Sequence, residues 1–128
     1  MHEDAKILLV ALYIEHNSKV PRLESINANV LKMDEASFFK AINHLNNNDL
    51  ISGVKVKLGS DDRNMVTLII DELELTDFGL EKAEELIKVC SRMSKVQKLG
   101  QIVSIAEDDS LKRVVPLAIE AMKKYSAV

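Results

Sequence analysis

The chain has 128 residues, 47 % of them apolar and 29 % charged, with four glycines and two prolines. That suffices for one hydrophobic core and excludes two ordinary domains, a collagen-like repeat or a low-complexity tail. Seventeen Lys and Arg stand against 20 Asp and Glu, a formal net charge of −3, so any contact with nucleic acid has to come from local patches.

Ile7, Leu8, Val10, Ala11 and Ile14 recur at helical spacing with Asp4, Lys6 and Glu15 outside them, which predicts a first helix over about 3–16, ended by Asn17 and Ser18. Lys19-Val20-Pro21 reads as extended, because the residue before a proline is driven out of the α region. A second, short helix is expected over 23–31 with Ile26, Val30 and Leu31 inward, followed by a brief turn at Lys32 and Met33. Asp34 starts a third helix: its carboxylate can accept the free amide hydrogens of the first turn, and Met33 and Phe38 hold the two hydrophobic-staple positions. The buried stripe of that helix is Phe38, Phe39, Ile42 and Leu45, and Asn46-Asn47-Asn48-Asp49 supplies residues that tolerate the left-handed conformation at its end.

From Val54 the period changes to two. Val54, Val56 and Leu58 alternate with Lys55 and Lys57, 59–64 is rich in turn residues, and 66–70 is largely β-branched, which together predict a hairpin. Asp71 and Glu72 are expected to turn the chain again, and Leu73-Glu74-Leu75 to add a short third piece before Thr76 caps a fourth helix. That helix carries Leu80, Ala83, Ile87 and Cys90 on one face and is expected to run through Met93 to about Lys98. In the last segment Leu111, Val114, Val115, Ala118, Met122 and Tyr125 fit one helical stripe, with Pro116 either in its first turn or at a kink. Glu107-Asp108-Asp109-Ser110 reads as an exposed joint.

Helix, short helix, turn, helix, hairpin, helix is the order of a winged helix. The expected fold class is therefore α+β, mostly helical: a winged helix-turn-helix domain over 1–98 with a helical C-terminal extension over 99–128. Leu45-Asn46-Asn47-Asn48-Asp49-Leu50-Ile51-Ser52-Gly53-Val54, followed by Leu73-Glu74-Leu75-Thr76-Asp77-Phe78-Gly79-Leu80, resembles the YjcQ-like small winged-helix proteins of Gram-positive bacteria and their phages over about residues 1–88. The resemblance implies the same fold and a bacterial or phage origin. Where many of those proteins place Gly before Leu-Ile this chain has Asp49, which reaches the left-handed conformation less easily.

With Phe38, Ile42 and Leu45 inward, the third helix turns Ser37, Lys40, Ala41, His44 and Asn47 outward. Asn can bond adenine in bidentate fashion, Ser and His can reach bases or phosphates, and Lys can neutralise a phosphate, so Ser37, Lys40, His44 and Asn47 are the candidate reading residues. Asp34 and Glu35 at the helix start would repel phosphate, and the helix has no Arg. In the hairpin Lys55, Lys57 and Arg63 form a weak positive patch beside Asp61 and Asp62. A solvated surface accounts for either set about as well as a DNA contact does. If the fourth helix continues, Lys88, Arg92, Lys95 and Lys98 make one basic stripe, suited to solvent, phosphate or an acidic protein.

Cys90 rules out an internal disulfide and reads as a small core residue, and the absence of a Cys-x-x-Cys or His/Cys cluster argues against zinc. A reducing, cytoplasmic location is expected, and the apolar run 7–14 is far short of the roughly 20 residues of a membrane span. His2, His16 and His44 share no metal-ligand spacing, the acidic runs sit in turns, and the glycines are isolated, so no enzyme chemistry, metal or cofactor is expected. The leading functional reading is a transcriptional regulator that binds double-stranded DNA. The alternative is a winged helix used as a protein-interaction module, such as a phage factor acting on a host protein. The stripe Leu111, Val114, Val115, Ala118, Met122 and Tyr125 is expected to form a homodimer interface, with folding back onto its own chain as the other solution.

Overall fold

The apolar run near the start of the chain becomes a helix buried on every side. The computed structural model describes residues 3–58, 66–105 and 109–126, with the backbone alone at 56–58, 66–69, 105, 109–110 and 126. In α1 (Glu3–His16), Ala5 and every residue from Ile7 to Ile14 is at most 1 % exposed. A helix that is apolar all round has to be surrounded. α3 (Glu35–Asn47), α4 (Asp77–Ile87), α6 (Val115–Ser126) and the 3-10 helix Asp109–Val114 all pack against it. The single stripe expected from the sequence is thus widened to the whole circumference, because the C-terminal segment covers what a three-helix unit would leave open.

Between α1 and α3 the chain does not form one helix over 23–31. A 3-10 turn, Leu23–Ser25, leads into extended backbone at Ile26, and α2 (Ala28–Leu31) starts at Asn27, whose Oδ1 accepts from the amide of Val30 at 3.0 Å. Asn at a cap competes with helix continuation through its side chain, which splits the segment. Ile26 and Leu31 are buried, whereas Val30, expected inward, is 39 % exposed. α2 ends on Lys32, which is left-handed (φ 55).

α3 starts as expected, the Asp34 carboxylate accepting from the amide of Ser37 at 2.7 Å. At its other end Asp49 takes the left-handed conformation (φ 59), the Leu50 amide donates to the carbonyl of Leu45 at 3.0 Å, and the Asp49 amide to that of Asn46 at 3.2 Å. This paired closure, with Leu45 and Leu50 both buried, feeds the chain into the sheet.

β1 (Ile51–Leu58) and β2 (Val66–Leu75) form one antiparallel pair, from Ile51 opposite Leu75 to Leu58 opposite Val66. Ser52 faces Glu74 but Val54 faces Ile70, so Gly53 alone opposes 71–73 across a bulge. Gly53 has φ +87, and a Cβ there would lie 2.4 Å from the Asp71 carbonyl oxygen. The expected third strand piece is therefore the continuation of β2, and Asp71-Glu72 is an irregularity inside the strand, with Glu72 left-handed at φ 53.

α4 begins at Thr76, whose Oγ1 accepts from the amide of Gly79 at 2.9 Å, and stops at Ile87 because Lys88 turns left-handed (φ 55). It does not run on to Lys98. Cys90, expected in the core, is exposed in the intervening turn. A new helix, α5 (Lys95–Ile105), starts with a reciprocal cap: the Ser94 amide donates to Gln97 Oε1 at 2.9 Å and the Gln97 amide to Ser94 Oγ at 3.2 Å. Residues 98 and 99, the expected domain boundary, both lie inside α5, as does Gly100. Pro116 sits in the first turn of α6, where its missing amide hydrogen costs nothing. The described residues are mostly helical with this one two-stranded sheet. Among them no helix is long and apolar enough to cross a membrane.

Candidate functional site

α3 packs through Ala41, Ile42 and Leu45, each at most 2 % exposed, with Phe38 half-buried beside them. At 100° per residue the opposite side of the helix is Ala36, Lys40, Asn43 and Asn47, flanked by half-buried Phe39 and His44. Three positions on α3 differ from the expectation. Ala41 lies in the core and not outward, Phe39 borders the outer face, and Asn43, which was missed, belongs on it. The signal was available, since Asn43 stands three residues after Lys40 and four before Asn47.

Lys40 and Asn47 are exposed, Ser37 and His44 half-buried at the edges. No carboxylate stands on the ridge itself. The two acids at the start of α3 are Asp34 and Glu35, and the Asp34 carboxyl is held below the usual range by the hydrogen bond from Ser37, with help from Lys40. That group stays charged, so the first turn of α3 is the negative end of the face.

Lys55 is exposed on β1, next to Val54, which faces the core. The backbone of Lys57 pairs with Thr67, and Arg63 lies outside the described residues. The structure therefore brings α3 and the base of the hairpin together through the Leu45–Leu50 closure. At the C-terminal end of α3 a depression of about 320 Å³ is lined by His44, Asn48, Leu50, Phe78 and Lys82. Phe78, in the first turn of α4, is 55 % exposed, an aromatic that the sequence reading did not single out.

Half of the stripe expected to join two copies turns inward within the chain. Leu111, Val114 and Ala118 are at most 3 % exposed, while Val115, Met122 and Tyr125 are half-buried. Tyr125 Oη donates to the Asn17 carbonyl at 2.5 Å, tying α6 to the end of α1. The 3-10 helix and α6 both pack on α1, so Leu111, Val114 and Ala118 are covered within the chain, whereas Met122 and Tyr125 also line a groove on the outer side of α6.

A half-buried polar cluster joins α1, α4 and α5. Tyr13 Oη donates to Glu84 Oε2 at 2.8 Å, and Lys98 Nζ pairs with the same oxygen at 3.0 Å. Burial and the adjacent carboxylate push the Tyr13 phenol well above its ordinary value. His16 stacks on Tyr13 at 6.4 Å between ring centroids, and burial, then Lys95 and Lys98, depress its basicity. The basic stripe expected on one continuous helix is divided by the turn after Lys88, and Lys98 is drawn into this cluster. Among the described residues no group of three His, Cys, Asp or Glu side chains is placed to hold a metal. No family model, curated protein or solved structure matches the chain.

Proposed function

We propose that the chain is a winged-helix protein of the YjcQ-like kind that binds double-stranded DNA through α3 and the β1–β2 hairpin as a bacterial or phage transcriptional regulator. The observation that carries this reading is the outer ridge of α3: Lys40, Asn43 and Asn47, with small Ala36, form a polar, carboxylate-free face on a helix fixed in the core along its other side. Asn side chains can bond adenine in bidentate fashion, and Lys40 can neutralise a phosphate. Because Asp34 and Glu35 make the first turn negative, the middle and C-terminal half of α3 would enter the groove. Lys55, with Lys57 and Arg63 beyond it, would grip the backbone.

Titration of the full chain with fluorescent duplexes at about 50 mM salt tests it, since counterion release makes binding tightest there. With three to four cations engaged, log affinity should fall against log salt with a slope of roughly −3 to −4. Failure to bind any duplex under those conditions removes the reading.

A winged helix that docks a protein is the second reading, favoured by the exposed ring of Phe78 beside His44, Leu50 and Lys82. Under it, Phe78→Ala abolishes partner capture, and duplex binding is absent from the start.

A further inference from the structure

Charge is distributed unevenly along this chain. Before residue 88 there are nine Lys and Arg against sixteen Asp and Glu, a net −7, and from residue 88 onward eight against four, a net +4. The excess of positive charge therefore falls on the segment that forms α5, α6 and the turn before them, where Arg92, Arg113, Lys123 and Lys124 are exposed and Lys98 is paired with Glu84.

The same hairpin carries an apolar groove. Leu99 and Ile102 of α5 and Ala118 and Ala121 of α6 face the core. On the outside Val96, Gly100 and Val103, spaced by four and three, face Ile119 and Met122 across a groove of about 640 Å³ with Lys123 at its rim. Val96 is 37 % and Ile119 39 % exposed. A Cβ on Gly100 would meet only the Met122 methyl, at 3.7 Å, so the floor is open enough to receive an inserted side chain. Two packed helices whose outer ridges are apolar leave a trough that fits the apolar face of a third helix.

Charge decides the occupant. Among the described residues Lys123 is the one charged residue in the lining, and it pairs with exposed Glu120 one turn before it at 3.5 Å. A second copy would bring two net +4 segments and two Lys123 side chains together, which like-charge repulsion opposes. We propose that the α5/α6 groove docks an amphipathic helix of another protein, with aliphatic anchors at helical spacing flanked by carboxylates. This site is separate from α3 and stands whether or not α3 binds DNA.

The test uses the full chain, isotope-labelled, and a synthetic amphipathic peptide of about four turns with a leucine stripe flanked by Glu, against the same peptide with Lys in place of Glu. The Glu peptide should shift the amides of Val96, Gly100, Val103 and Ile119 saturably and bind roughly tenfold tighter than the Lys peptide. Ile119→Asp, with its thermal melt recorded alongside to show that the chain is folded, should weaken it by roughly tenfold or more, and Lys123→Glu should reverse the preference between peptides. Equal binding of the two peptides, no binding of either, or shifts elsewhere on the molecule overturn the proposal. So does a dimer in light scattering that Ile119→Asp dissociates, which makes the occupant a second copy, or displacement of the Glu peptide by anionic vesicles, which makes it a lipid surface.

Discussion

A Cβ built on Gly79 would stand 2.0 Å from the carbonyl oxygen of Leu50. That oxygen accepts from the amide of Thr76 at 3.1 Å, and Thr76 Oγ1 donates to the carbonyl of Asp49, so the start of α4 is seated directly on the backbone between α3 and β1. Gly79→Ala has no room to relax, since the obstacle is main chain, and it should destabilise by about 3 kcal/mol. Gly100→Ala, whose Cβ would meet only the Met122 methyl at an ordinary contact distance of 3.7 Å, should instead stabilise by about 0.5 to 1 kcal/mol through helix propensity. Denaturant midpoints of the two variants measure both, and a tolerated Gly79→Ala would contradict the packing described.

Asp49 occupies a left-handed position that an L side chain reaches at a cost. Asp49→Gly should therefore raise stability by about 0.5 to 1 kcal/mol, the relief of strain being partly offset by a more flexible unfolded chain. Urea unfolding at constant slope reads the change directly.

His16 should make stability depend on pH. Its folded-state basicity is depressed, by burial and then by Lys95 and Lys98, with Glu84 and Glu74 opposing, so the unfolded chain binds the proton more readily. Stability is then complete above the ordinary histidine range and is lost as pH falls through about 6.5 and below. His16→Gln removes that component. Melting curves between pH 8 and 5 should fall more steeply for the parent chain than for the variant, and parallel curves would refute the assignment.

A truncation ending at Lys98 should not fold. It strips Leu99, Ile102, Leu111, Val114, Ala118 and Ala121 from the core. Each large side chain contributes about 1.5 to 3 kcal/mol when buried, against a total stability of only about 5 to 15 kcal/mol. Collapsed amide dispersion in the spectrum of the fragment is the expected result, and a well-dispersed soluble monomer would show an independent 1–98 unit.

On α3, Lys40→Glu should weaken duplex binding across all sequences, whereas Asn43→Ala and Asn47→Ala should lower the preference for one site by about 1 to 3 kcal/mol each. Competition between specific and random duplexes separates the two effects. Equal loss for all three variants would mean that the amides read no bases.

The chain itself determined the features that rest on local chemistry. Asp34 and Thr76 cap helices because a carboxylate or hydroxyl at those positions reaches the free amides of the following turn, and Asp49 ends α3 because Asp tolerates left-handed backbone. The alternation from Val54 onward likewise announced the hairpin. Only the tertiary structure decided where α4 stops, since Lys88 is no left-handed signal and the segment after it retains helical spacing. Nor does the local pattern reveal that Leu73 and Leu75 extend β2 past a bulge, a pairing set by Ile51 and Ser52 across the sheet. The largest difference concerns α1. Its unbroken apolar run from Ile7 to Ile14 reports complete burial, but not which elements supply it: α3, α4, the 3-10 helix with Leu111 and Val114, and α6 with Ala118 share that role. Amphipathic periodicity fixes which side of a helix must be covered. Which surface covers it depends on contacts distant in sequence, formed only when the whole chain has closed.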